Sequence, residues 1–302
     1  MSAYLRAMRL ERWPRSLAIF LGSAAYVFLH RDAPSRFGLD GLAWRSAAAF
    51  LLTWGISTAN YIINEIVDLP YDVHHPTKRF RPLVRGEIRE TPFALLGIGL
   101  ILVSFAVSLV VFDRPFFFSL AALLIAGFVY NVRPIRTKDI PFLDAISESA
   151  NNPIRFLIGW FALSAPSDFP PLGMLLSWWG FGNFLMVAKR LSEFRFLKDK
   201  AGDYRSSHRK YSRESLLLGM ILSAAISLAA FFYVAYKFKL QSFALIAPFL
   251  VFFFYLIFRK TLREAEVMEE PEKLLVRPKY ALFALFLLAL FILSYFRDAV
   301  GR

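Results

Sequence analysis

Asn64-Glu65-Ile66-Val67-Asp68-Leu69-Pro70-Tyr71-Asp72 follows directly on an apolar run over residues 44–63, and His74-His75-Pro76-Thr77-Lys78-Arg79-Phe80-Arg81-Pro82 comes next. An apolar run of that length is the signature of a membrane helix. Asn64, Asp68 and Asp72 recur at four-residue spacing, which sets side chains on one helix face. Pro70 removes a backbone donor and clashes with the turn before it. The helix is therefore expected to break or kink at Pro70 and to leave Asp72 on a loop. Hard oxygen ligands suit magnesium, which takes one or two carboxylates and fills its remaining positions with phosphate oxygens and water. The plainer reading is a solvated helix end, but acidic groups on a membrane helix are costly and mark function by default.

Working outward, the 302-residue chain is 57% hydrophobic, with mean hydropathy +0.48 and no cysteine. Disulfides and thiolate metal sites are excluded. Apolar segments fall at roughly 16–30, 44–63, 93–112, 115–130, 142–164, 172–188, 215–236, 241–258 and 280–296. They predict one all-α integral membrane domain over 1–302, with nine spans. The first stretch lacks a small-residue cleavage pattern and reads as a retained helix. Arg114-Pro115 separates two runs so closely that a tight hairpin is expected. Net charge is +13, and about three quarters of the 36 Lys and Arg lie on one set of connections. That asymmetry accounts for the charge by topology, without nucleic acid. It orients a multi-pass protein of the cytoplasmic membrane with its N-terminus in the cytoplasm and its C-terminus outside.

The long connections then fall on the cytoplasmic face and carry the remaining candidates. Lys78, Arg79, Arg81 and Arg85 stand just after the last carboxylate, where Arg supplies bidentate phosphate contacts and Lys a point charge. A topology signal or headgroup attraction is the alternative for that tract. His74 and His75 read as solvated. Tyr130 closes a segment, where belt aromatics are common, or it meets substrate. Lys138 is placed to reach a phosphate. Asp144 opens the fifth segment at the positive end of a helix. Arg155 lies inside that segment and needs a polar cavity or a route to the surface. Lys189, Arg190 and Glu193 close the sixth segment. Glu193 is favoured over Asp199 and Asp203 as the second acidic ligand.

Together these residues resemble the UbiA superfamily of intramembrane prenyltransferases. The resemblance covers essentially the whole chain and rests on Asn64-x3-Asp68-x3-Asp72 after the second segment. It implies a helical bundle with a central cavity open to the cytoplasmic side and laterally to lipid. It further implies Mg2+ bridging carboxylates and a diphosphate, and a polyprenyl chain entering from the bilayer. Two departures stand out. Glu65 occupies a position that is often Asp, and Lys189-Arg190-Leu191-Ser192-Glu193 replaces the second Asp-rich motif. That replacement is similar to the polyprenyl-phosphate phosphoribosyltransferase branch. So are the tract from His75 to Pro82, the pair Asp144 and Arg155, and Met8-Arg9-Leu10-Glu11-Arg12-Trp13-Pro14. Ile140-Pro141-Phe142-Leu143-Asp144 resembles carotenoid- and ether-lipid-type prenyltransferases equally well.

The expected roles follow from the resemblance. Asp68, Asp72, Tyr130 and Lys138 are catalytic. Asn64, Asp68, Asp72 and Glu193 are metal ligands. Asn64, Lys78, Arg79, Arg81, Arg85, Asp144, Arg155, Lys189 and Arg190 bind substrate. Two reactions fit: phosphoribosyl transfer from phosphoribosyl diphosphate to a polyprenyl phosphate, and prenyl transfer from a polyprenyl diphosphate to an aromatic, ether-lipid or carotenoid acceptor. The dense cations favour the first, which carries more negative charge into the site. A transporter of anionic solutes is the competing class, yet its substrate site would sit at the midplane. A scaffold that binds lipid without turnover is a third reading.

Overall fold

The computed structural model describes residues 3–30, 32–73, 78–197, 206–263 and 277–300, and among them every regular element is helical. In chain order these are α1 (Ala3–Ala7), a 3-10 turn over Leu10–Ala18, α2 (Ile19–Leu29), α3 (Ala33–Asp72), α4 (Glu90–Val111) and α5 (Arg114–Asn131). They continue with α6 (Leu143–Ser149), α7 (Asn151–Phe161), α8 (Leu172–Leu197), α9 (Arg213–Lys237), α10 (Gln241–Ala244), α11 (Ala247–Arg263) and α12 (Pro278–Val300). Four of them, α3, α4, α5 and α9, are long and apolar enough to cross a membrane. Their outward faces carry large exposed apolar side chains such as Leu102, Val103 and Val110 on α4, which in water would be an aggregation hazard.

Two details differ from expectation. Helix α3 does not stop at Pro70 but continues through Asp72. A proline so close to a helix end forfeits one backbone bond, and Asp72 is anchored from its side chain by Arg81 and Lys78. The fifth apolar segment is two helices, α6 and α7, meeting at Ala150. The expected hairpin is present: only Phe112 and Asp113 separate α4 from α5, and Phe112 stacks on Phe116 with centroids 3.9 Å apart.

The chain forms two compact units. The first comprises residues 1–137 and 151–170 and holds α1–α5 and α7. There α2 and α7 touch backbone to backbone. A Cβ at Gly159 would lie 1.8 Å from the Ile19 carbonyl oxygen, and one at Gly22 2.0 Å from that of Phe156. Small residues permit such contact in membrane bundles, and the Ser23 hydroxyl donates to the Gly159 carbonyl at 2.9 Å. Asn60 on α3 donates to the Leu123 carbonyl of α5 at 2.9 Å. Ala7, Ile62, Leu83, Ile88 and Phe93 form a core that fixes α1 and the 82–89 connection against α3 and α4.

The second unit comprises residues 138–150 and 171–302. Helices α8 and α9 pack along their lengths. Polar bonds pin them: Asn183 donates to Ser223 at 2.9 Å, and Ser227 to the Ser177 carbonyl at 2.8 Å. Ser212 and Ser215 form a reciprocal capping box at the start of α9, satisfying donors that a helix N-terminus otherwise leaves open.

Candidate active site

Beyond a kink at Gly38 (φ 69, ψ 163), α3 stays helical to Asp72, and its polar residues line up as a ladder. Tyr61, Glu65, Asp68 and Asp72 recur at three- and four-residue steps and so share one face. Glu65, Asp68 and Asp72 are all buried. Burying carboxylates is costly unless each is paired, and a cation from another segment meets every one. Arg136 Nη2 donates to Asp68 Oδ1 at 3.1 Å. Arg81 donates to Asp72 through Nη1 and lies 3.6 Å from Glu65 through Nε. Lys78 stands 3.6 Å from Asp72, and Arg9 3.6 Å from Glu65. Asn64 is half-buried on the same helix.

Cations continue beyond the carboxylates. The Arg136 guanidinium lies 4.8 Å over the Tyr71 ring, with Arg133 at 5.7 Å. Arg9 and Arg12 stand over the Tyr61 ring at 5.9 and 5.6 Å, and Arg15 donates to the Tyr61 hydroxyl at 3.4 Å. Burial, and then the neighbouring Arg81, hold the Arg9 guanidinium below its ordinary pKa. Positive charge is therefore crowded here, which is the condition an anionic ligand relieves.

The other expected site residues of this unit are spread more widely. Arg79 is exposed over the Phe80 ring, 4.9 Å away. Arg85 pairs with Glu87 at 3.2 Å, and Arg6 holds the same carboxylate at 2.6 Å. Tyr130 is half-buried one residue before the end of α5, and Arg155 is half-buried on α7.

In the second unit a different network surrounds Arg190, which is fully buried. Its Nε donates to Asp144 at 2.7 Å, its Nη2 to Glu148 at 2.8 Å and its Nη1 to Glu193 at 3.1 Å. Asp144 also accepts from the Ala145 amide, from Ser207 at 3.0 Å and from Tyr211. The Tyr211 hydroxyl in turn accepts from the Phe142 amide at 2.8 Å. Burial and the adjacent Asp144 push the Tyr211 phenol well above its ordinary value, so it donates at any physiological pH. His208 faces Glu193 at 2.8 Å. The Arg190 fork is thus filled by carboxylates of this unit. Lys189 is half-buried on α8, and Lys138 is buried in the turn Thr137–Asp139. His74, His75, Asp199 and Asp203 lie outside the described residues.

Among the described residues no three Asp, Glu or His side chains converge to hold a metal unaided. Magnesium does not require that. Asp68 and Asp72, one turn apart and aimed from one face, supply the one or two carboxylates it takes when phosphate oxygens complete the shell. The donor set fits a metal that arrives with a phosphorylated substrate. Sequence reasoning omits Arg136, Glu65 and Arg9 from the site, along with Ser207, His208 and Tyr211. Their partners are distant in the chain and carry no spacing signal.

Comparison with known proteins identifies the family and the fold. A model of the UbiA prenyltransferase family matches residues 17–276. Decaprenyl-phosphate phosphoribosyltransferase of Mycolicibacterium smegmatis is 26% identical over 229 residues, which cover 74% of this chain and 67% of that protein. 4-hydroxybenzoate octaprenyltransferase of Aromatoleum aromaticum is 31% identical over 132 residues, covering 41% of this chain and 40% of that protein. A solved UbiA homolog from Archaeoglobus fulgidus bound to DMAPP and Mg2+ shares the fold, with TM-score 0.70 at 21% identity over 98% of this chain and 99% of that one.

Proposed function

The chain belongs to the UbiA prenyltransferase family, and on that premise we propose that it is an integral-membrane, Mg2+-dependent transferase joining a polyprenyl lipid to a diphosphate-activated group. Residues 1–302 act as one transferase domain of nine spans, its cavity open to the cytoplasm and to lipid and its N-terminus cytoplasmic. The reaction assigned to it is phosphoribosyl transfer from phosphoribosyl diphosphate to a polyprenyl phosphate. One observation carries the choice. Among the described residues, the cations about the C-terminal part of α3 (Arg9, Arg12, Arg15, Lys78, Arg81, Arg136) outnumber the buried carboxylates there, Glu65, Asp68 and Asp72. Prenyl transfer brings in one diphosphate. Phosphoribosyl transfer adds the sugar phosphate and the lipid phosphate, which matches the surplus. The similarity to a decaprenyl-phosphate phosphoribosyltransferase supports the same choice.

In this reading the bond between the sugar C1 and the diphosphate oxygen breaks as a lipid-phosphate oxygen bonds to C1, and diphosphate departs. Asp68 and Asp72, assisted by Asn64, hold Mg2+, which when bound neutralises charge on the departing diphosphate. Arg81 and Lys78 turn from Asp72 to phosphate oxygens, giving charge-assisted bonds that strengthen as negative charge builds. Arg136 keeps Asp68 oriented. Tyr130 and Arg155 complete the substrate contacts of the first unit, with Arg79 more exposed; Lys138 and Lys189 are assigned to substrate as cations of the second unit. Asp144, Arg190 and Glu193 support the loop that carries Ser207, His208 and Tyr211.

The test is purified protein in lipid with Mg2+, polyprenyl phosphate and phosphoribosyl diphosphate labelled in the ribose. Label passing into the lipid fraction with stoichiometric diphosphate release supports the reading. Diphosphate release only from a polyprenyl diphosphate, with an aromatic or lipid acceptor, replaces it with prenyl transfer. Solute flux without either release places the chain among transporters.

A further inference from the structure

The N-terminal arginines form a second cationic group, centred on Tyr61, from which Arg9 also reaches Glu65 at 3.6 Å. Arg9, Arg12 and Arg15 come from the turn before α2 and close on a single side chain, Tyr61: two guanidinium groups lie over its ring and one donates to its hydroxyl. All three are half-buried. Arg9 sits in left-handed backbone, φ 53 and ψ 44, a region that side-chain-bearing residues enter rarely and mostly where the surroundings hold them for a purpose. Tyr61 stands one turn before Glu65 and about two turns before Asp68 on the same face of α3, so the group lies at the far end of the ladder from Asp72.

The chemistry of the surroundings identifies the ligand. Three guanidinium groups around one phenol form a fork-rich cluster suited to a phosphate. Trp13, Leu17, Phe20 and Leu21 are exposed beside these arginines, and Trp13 packs edge-on against Phe50. An exposed tryptophan with aliphatic neighbours marks a lipid headgroup level. A phosphate recognised there bears a hydrocarbon tail.

We propose that Arg9, Arg12 and Arg15 about Tyr61 form a phosphate-monoester subsite that seats the headgroup of the polyprenyl phosphate, apart from the subsite for the diphosphate. This assignment rests on the phosphoribosyl-transfer reading for its role in turnover, but the binding itself is measured without turnover.

The probes are farnesyl phosphate, farnesol and ribose 5-phosphate, added without Mg2+ to full-length protein in detergent, with thermal stability as the readout. Farnesyl phosphate raises the Tm of the wild type, and farnesol and ribose 5-phosphate do not. Arg12→Gln and Arg15→Gln each weaken farnesyl phosphate binding about tenfold or more, the loss expected for a charge-assisted bond. Arg15→Lys retains part of it. An unliganded Tm like that of the wild type shows that these variants fold. Tyr61→Phe, which keeps the ring, is the second probe should either Gln variant fold poorly, and it weakens the same binding more mildly. In turnover the Gln variants raise KM for the lipid phosphate while KM for phosphoribosyl diphosphate stays within about twofold. Equal binding of farnesyl phosphate to wild type and variants overturns the proposal, as does a response to ribose 5-phosphate in place of the lipid. If farnesyl phosphate binds through the trio but no ribose is ever transferred, the subsite stands and the phosphoribosyl reading falls.

Discussion

Arg190→Met offers the sharpest separation between a structural and a substrate-binding role. The guanidinium has no solvent exposure and meets Asp144, Glu148 and Glu193 at 2.7, 2.8 and 3.1 Å. Methionine preserves much of the stem but removes the charge. Asp144 and Glu193, both almost without solvent exposure, then lose their shared cation. Asp144 retains its bonds from Ser207, Tyr211 and the Ala145 amide, so collapse is not total. Breaking a buried pair by removing one partner costs about 3–5 kcal/mol. At roughly 2–4 °C per kcal/mol for a large domain, the loss in Tm is on the order of 10 °C. The assay is thermal unfolding in detergent followed by intrinsic fluorescence at one fixed scan rate, since membrane-protein unfolding is rarely reversible. Arg190→Lys recovers only part of the loss, because an ammonium cannot fill three carboxylates with a planar fork. An unchanged Tm for Arg190→Met, with a raised KM for substrate, refutes the reasoning and returns Arg190 to the substrate.

Three further outcomes follow from the same geometry. Asp68→Asn inserts and folds but loses about 10²-fold or more in turnover, because the charge that holds the metal is gone; full activity removes Asp68 from the metal site. Tyr211→Phe deletes the donor to Asp144 and the acceptor for the Phe142 amide, costing about 1–3 kcal/mol at neutral pH. The phenol's folded pKa lies above the ordinary 10.0, so the wild type keeps this contribution below pH 10 and loses it as pH climbs through the folded value; Tyr211→Phe lacks that alkaline loss, and parallel pH curves contradict the assignment. Gly159→Ala places a methyl group 1.8 Å from the Ile19 carbonyl and forces α2 and α7 apart, at a cost of about 1–3 kcal/mol; wild-type stability in that variant means the helices pack more loosely than described.

The sequence makes some of this legible and hides the rest for physical reasons. Asn64, Asp68 and Asp72 announce themselves because a four-residue step on an apolar helix is local information. The hairpin at Arg114-Pro115 is equally local. Pro70 misleads, since the rule against proline in a helix weakens near a helix end, and two cations secure Asp72 from outside. The division of the fifth segment at Ala150 does leave a mark, Asn151-Asn152-Pro153, residues that favour a helix start, but the apolar stretch beyond it is long enough to pass for the rest of one span. Arg136 and Arg9 pair with α3 across many residues of chain, and their neighbours in sequence read as ordinary positive-inside charge. Ser207, His208 and Tyr211 are hidden in the same way, within a loop whose charge run looks solvated. Cations in such loops announce topology and conceal which of them serve the site.

The central claim is that α3 holds a metal–diphosphate group on Asp68 and Asp72. Replacing magnesium with manganese and collecting anomalous scattering from the complex with diphosphate measures this directly. The account predicts a peak at coordination distance, about 2.2 Å, from carboxylate oxygens of Asp68 or Asp72, with Arg81 turned onto phosphate. A peak bound elsewhere, with Arg81 still seated on Asp72, contradicts it.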